Sequence, residues 1–91
     1  MVKKVIKLSA SWCSPCKAYA KTFEEVSRNE EFKDISFEEI DIEENDNIAE
    51  KYKVRSVPTT VILDENENVL NIINGNISRT ALETAIKQGI S

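Results

Sequence analysis

Apolar positions recur along this chain at two spacings, and the two spacings alternate. From Val2 to Leu8 they crowd a short segment that is β-branched at several positions, which predicts a first strand. From Ser14 to about Asn29 they fall every three or four residues, at Cys16, Tyr19 or Ala20, Phe23 and Val26, which predicts a helix. Pro15 stands in its first turn, where a helix tolerates proline best. Phe37 to Ile42 reads as a second strand despite the acids Glu38, Glu39 and Asp41. Asp46 or Asn47 is placed to cap a short helix running to about Tyr52. Pro58 then precedes Thr59 to Leu63, a strong strand signal. Asp64 to Asn68 reads as a turn and Val69 to Ile73 as the returning strand. That turn has no glycine, so Asn66 or Asn68 is expected to take any positive φ. Ser78 is expected to cap a last helix with Ala81, Leu82, Ala85 and Ile86 on one face, and Gly89 to end it.

The predicted order is β-α-β-α-β-β-α. Strands joined through a helix should run parallel with a right-handed crossover, and strands joined by a tight turn should be antiparallel. The expected fold class is therefore α/β, a mixed sheet of four strands with helices on its faces. The whole of residues 1–91 is expected to form one domain, because 91 residues leave no room for a second.

Composition narrows the chemistry. The formal net charge is -4, with few basic clusters, which argues against nucleic acid as the main partner. No apolar run approaches the ~20 residues of a membrane span. Lys7 interrupts the apolar N-terminal stretch, so no secretory leader is expected, and the expected location is the cytoplasm, where thiols rest reduced. Two cysteines are too few for a disulfide scaffold. With no histidine, a zinc site and Cys-His or Ser-His catalysis are not expected.

What remains is Trp12-Cys13-Ser14-Pro15-Cys16-Lys17, at the predicted strand-to-helix junction. Cysteines three apart at a helix start approach closely enough to close a small disulfide ring. The first would sit at the helix N-terminus, where free N–H groups and the macrodipole favour a thiolate. The second lies one turn inside and is expected to be the more shielded. This predicts a division of labour. Cys13 attacks a substrate disulfide, and Cys16 then attacks Cys13 and releases the reduced product.

This motif resembles that of the thioredoxin family. Asp41-Ile42-Glu43-Glu44-Asn45, Ala49-Glu50-Lys51-Tyr52 and Val54-Arg55-Ser56-Val57-Pro58-Thr59 resemble the family's later acidic strand, short helix and cis-proline segment. Its glycine before the last helix falls on Gly75, and the similarity runs from about Val5 to Gln88. The resemblance implies that Pro58 is cis and faces the cysteines, and that the Val57 backbone pairs with an extended substrate segment. It also implies an apolar contact surface at Trp12 and close approach of a partner at Gly75. No bound cofactor is implied: the working group is the Cys13–Cys16 disulfide, recharged from NADPH through a flavoprotein thioredoxin reductase. The implied substrates are disulfide-containing proteins, and the expected state is a monomer.

Three departures from the family pattern stand out. The usual thioredoxin has a further strand and helix before the cysteine-bearing strand, an outline trimmed here as in glutaredoxins. The dipeptide between the cysteines is Ser14-Pro15 where the family usually has Gly-Pro, and that dipeptide tunes the redox potential. The family's buried acid, six residues before the first cysteine, falls on Lys7, and the family's nearby lysine falls on Glu39. By strand alternation Val5, Lys7 and Ser9 share one face, and Ile6 and Leu8 the other. Lys7 is thus expected beneath the helix that begins at the cysteines, where a charged lysine would favour a thiolate.

Two other readings stay open at this stage. One is a glutaredoxin-like enzyme recharged by glutathione or another small thiol; Trp12 and the single Gly75 speak against it. The other is a binding module that uses a thioredoxin-type surface inside a larger complex; the intact cysteine pair speaks against a purely structural role.

Overall fold

A computed structural model describes residues 1–90. The chain forms strand β1 (Val2–Ser9), helix α1 (Ser14–Ser27), a single 3₁₀ turn (Glu30–Phe32), β2 (Ser36–Asp41), α2 (Asp46–Lys51), β3 (Thr59–Asp64), β4 (Val69–Asn74) and α3 (Arg79–Ile90). The strands make one sheet in the order β2-β1-β3-β4. β1 runs parallel to β2 and antiparallel to β3, and β3 and β4 form the expected hairpin. This is the predicted α/β order with a mixed four-stranded sheet.

Both faces of the sheet are covered. On one, Val5 and Ile62 pack with Tyr19, Phe23 and Val26 of α1 and with Leu82 and Ile86 of α3. On the other, Ile6, Leu8, Val61 and Leu63 pack with Tyr52, just after α2, and with Ile48 within it. Each such apolar side chain contributes ~1.5–3 kcal/mol when fully buried. Simple alternation would place Val2 with Ile6 and Leu8. Instead a bulge between Val2 and Lys4 turns Val2 to the α1/α3 face.

Several boundaries differ from the sequence reading. The 3₁₀ turn was not expected; Asn29 caps it through the Glu31 N–H, and it drives Phe32 into the core at 1% exposure. Asn45 occupies the N-cap position of α2, with no side-chain cap bond. In the hairpin turn the positive φ falls on Glu67, not on an asparagine. The Asp64 carboxylate accepts from the backbone N–H groups of Asn66 and Asn68, and both asparagines are thereby tied. The same bonds, those from Asn68 foremost, hold the Asp64 carboxyl below its usual range. Ser78 does cap α3, accepting from the Ala81 N–H at 3.1 Å. Gly89 does not end the helix, which continues to Ile90. A Cβ there would stand 2.5 Å from a Val2 methyl, so the glycine allows α3 to approach β1 closely.

One buried polar contact crosses this core. The Tyr19 and Thr60 hydroxyls lie 2.6 Å apart, with both residues at 0% exposure. Burial raises the Tyr19 phenol above its ordinary value, against the opposing pull of the Thr60 bond. A folded-state pKa above the unfolded one means that this contribution to stability is full below pH ~10 and is lost as the pH rises through the folded value. Tyr19→Phe should therefore cost ~1–3 kcal/mol in urea unfolding at neutral pH, because it leaves the Thr60 hydroxyl buried without its partner. The variant should also lack the late-titrating phenolate in an alkaline difference spectrum; a cost near zero with an unchanged spectrum would contradict this account. Phe32→Ala should cost ~3–5 kcal/mol, as a buried aromatic does, and a loss under 1 kcal/mol would mean that the 3₁₀ turn is not part of the core.

Candidate active site

β1 ends at Ser9 and the chain turns at Ala10, whose carbonyl accepts the Cys13 N–H at 3.1 Å. That turn delivers Cys13 to the N-cap of α1, with Pro15 in the first helical turn. Pro15 has no N–H to satisfy there and its fixed φ suits the helix, so the local sequence dictates the start. The Cys16 N–H, one of the free donors of a helix start, reaches Cys13 Sγ at 3.1 Å. Cys13 and Cys16 are joined as a disulfide.

The two cysteines are equally buried, at 3% exposure each, so exposure does not separate them in the oxidised state. Their surroundings do. Cys13 Sγ lies 3.6 Å from the Val57 carbonyl oxygen, towards the segment before β3. Cys16 lines a cavity of about 290 Å³ beneath the start of α1. Ala10, Ile42 and Val57 pack around the pair and keep it dry on the protein side.

Val57–Pro58 is a cis peptide bond, as the resemblance implies. The Pro58 carbonyl accepts the Gly75 N–H at 2.8 Å, which ties this segment to the end of β4. Gly75 has φ +94°, and a Cβ there would meet nothing within 4 Å. The position therefore demands glycine for its backbone angle and leaves open space above it. Trp12 is 67% exposed, so it is no part of the core. Ser14 and Pro15 are exposed on the rim. The structure thus gathers Trp12, Cys13, Val57, Pro58 and Gly75 at one end of the sheet.

Lys7 is 2% exposed and forms an ion pair with Glu39, its register neighbour on β2. Its ammonium stands 5.7 Å from the centre of the Phe23 ring, which confirms that the side chain points to the α1 face. Lys7 and Glu39 are therefore a physical ion pair, and both line the cavity that Cys16 lines. Sequence reasoning did not foresee Tyr19 and Thr60 beside it, although Thr60 is the β3 register partner of Lys7. Their hydroxyl pairing leaves no periodic signal.

Among the described residues no helix is long and apolar enough to cross a membrane, and no group of three or more His, Cys, Asp or Glu is placed to hold a metal ion.

Known proteins are similar to this chain in sequence and in fold. The sequence profile described as Thioredoxin matches residues 2–88. A thioredoxin of Aspergillus fumigatus is 37% identical over 87 residues, spanning 96% of this chain and 77% of its own length. A thioredoxin of Buchnera aphidicola is 38% identical over 82 residues, spanning 90% of this chain and 74% of its own. Among solved structures, a thioredoxin of Malassezia sympodialis superposes with a TM-score of 0.86 at 30% identity, over 97% of this chain and 75% of that one. The fold, the disulfide at the helix start and these matches lead to one conclusion: the chain belongs to the thioredoxin family and is a thiol–disulfide oxidoreductase.

Proposed function

We propose that this domain of residues 1–91 reduces disulfides in other proteins, with Cys13 as the attacking thiolate and Cys16 as the resolving thiol. The observation that carries the assignment is the helix start. Cys13 Sγ is the cap that accepts the Cys16 N–H, so negative charge on it meets an N–H donor and the positive end of the α1 dipole. In the reduced protein the Cys13 thiolate attacks one sulfur of the substrate disulfide, forming a mixed disulfide and releasing the other sulfur as a thiolate. The Cys16 thiolate then attacks Cys13 Sγ. The Cys13–Cys16 bond closes, the substrate's second sulfur leaves, and two electrons have passed to the substrate.

Substrate would lie across Trp12, Val57, Pro58 and Gly75. The exposed Trp12 ring supplies apolar contact, and the Val57 carbonyl beside Cys13 Sγ supplies a backbone acceptor for an extended segment. Gly75 leaves room for that segment. Ser14-Pro15 sets the redox potential of the ring. The oxidised pair would be recharged by a flavoprotein thioredoxin reductase using NADPH, in the cytoplasm, with the protein acting as a monomer and needing no bound cofactor of its own.

NADPH consumption measured with thioredoxin reductase and an oxidised protein substrate tests this directly. The expected result is turnover dependent on this protein; turnover only in a parallel assay with glutathione and its reductase would replace the proposed electron source. The cysteine roles are tested by trapping. Cys16→Ser should retain substrate proteins as mixed disulfides on Cys13, while Cys13→Ser retains few. Equal retention by the two variants would overturn the assignment.

A further inference from the structure

The cavity under the start of α1 holds a buried cation and opens towards an exposed carboxylate. Cys16 lines it together with Lys7, Ser9, Lys17, Glu39 and Asp41. Lys7 is 2% exposed, whereas its partner Glu39 is 58% exposed. The ammonium is therefore fixed inside the protein, and the carboxylate reaches it from the solvent side. The charged groups around the cavity are Glu39 and Asp41 from β2 and Lys17 from α1. From β3, the register partner of Lys7 is Thr60, whose neutral hydroxyl is bonded to the Tyr19 phenol of α1. No acid comes from beneath Cys16 on β1 itself, where Val5, Lys7 and Ser9 share the face that α1 covers.

On the reading that the cysteine pair exchanges disulfides, we propose that Lys7 is a positioning residue for the resolving step. Its buried ammonium stabilises the Cys16 thiolate, and Glu39 holds that ammonium in place. A fixed charge in a low-dielectric site acts strongly on a neighbour, while an exposed one is screened by water and salt. Between a buried ammonium and a solvated carboxylate, the ammonium decides the sign, and Cys16 ionises more readily. No carboxylate base is required at this position. Water entering the cavity takes the Cys16 proton. The thiolate attacks Cys13 Sγ, the Cys13–Cys16 bond forms, and the bond from Cys13 to the substrate sulfur breaks. The departing substrate thiolate takes a proton from solvent.

The test follows resolution alone. Reduced protein is mixed with a dithiobis(nitrobenzoate) reagent in stopped flow across a range of pH. Attack by Cys13 releases the first thionitrobenzoate, and attack by Cys16 on the resulting mixed disulfide releases the second. The pH midpoint of the second phase reports ionisation of Cys16. In Lys7→Met, which keeps the apolar stem against Phe23, the midpoint should rise and the neutral-pH rate should fall about tenfold, equivalent to about one pH unit. Lys7→Arg should restore most of the rate. A midpoint equal to wild type in Lys7→Met overturns the proposal, since a merely structural lysine would alter stability and leave this profile in place. Should Lys7→Met fail to fold, Glu39→Gln decides. Without its counter-charge the buried Lys7 is no longer held as an ammonium beside Cys16, so the midpoint should rise here too, and an unchanged or lowered midpoint overturns the proposal. A wild-type protein that shows no second phase refutes dithiol exchange itself, whereas a normal wild-type second phase with an unmoved variant profile refutes only the role of Lys7.

Discussion

Strand β1 has no free side, and the rest of the molecule is organised by that constraint. Its two edges are hydrogen-bonded to β2 and β3, and its two faces are covered by helices. A strand so enclosed should be apolar on both faces. Val5, Ile6 and Leu8 obey, at 0%, 5% and 0% exposure. Lys7 does not, and a charge at that depth persists only with a counter-charge in reach. Glu39 supplies it because parallel pairing sets it opposite Lys7. The composition of β2 follows: Glu38 serves Lys4 at 3.3 Å and Glu39 serves Lys7. Two of the three acids that weakened the strand signal in β2, Glu38 and Glu39, are thus the partners of Lys4 and Lys7 in β1.

The same enclosure places the cysteines. A parallel pair of strands leaves its carboxyl ends at one edge of the sheet, and the loop from β1 into α1 opens there. Because β1 is fixed on all sides, the turn at Ala10 and the helix start that follows are fixed as well. The disulfide therefore sits on a fixed base, with Trp12 and Ser14 exposed at its rim.

Much of this was legible in the chain itself. The alternation of spacings gave the element order, and Trp12 to Lys17 located the site at its strand-to-helix junction. Alternation alone also placed Lys7 on the α1 face. What escaped has a common physical cause, namely that long-range geometry overrides local preference. Gly89 carries a strong local stop signal, yet its lack of a side chain is needed against Val2, eighty-odd residues away. Asn66 and Asn68 are better suited than Glu67 to positive φ, but Asp64 engages both of their N–H groups. Phe32 sits in a stretch too short and too acidic to show periodicity, and only the folded chain reveals it as core. The Tyr19–Thr60 bond joins residues 41 apart in sequence, a separation that no local pattern records.

The unequal depth of Lys7 and Glu39 has an evolutionary consequence. A carboxylate in place of Lys7 would face Glu39, and a lysine in place of Glu39 would face Lys7. Either single change sets the buried group beside a like charge, and burial together with that charge then holds it in its neutral form. The two positions work as an ion pair only while they differ in sign, so an inherited exchange of the two charges needs both substitutions.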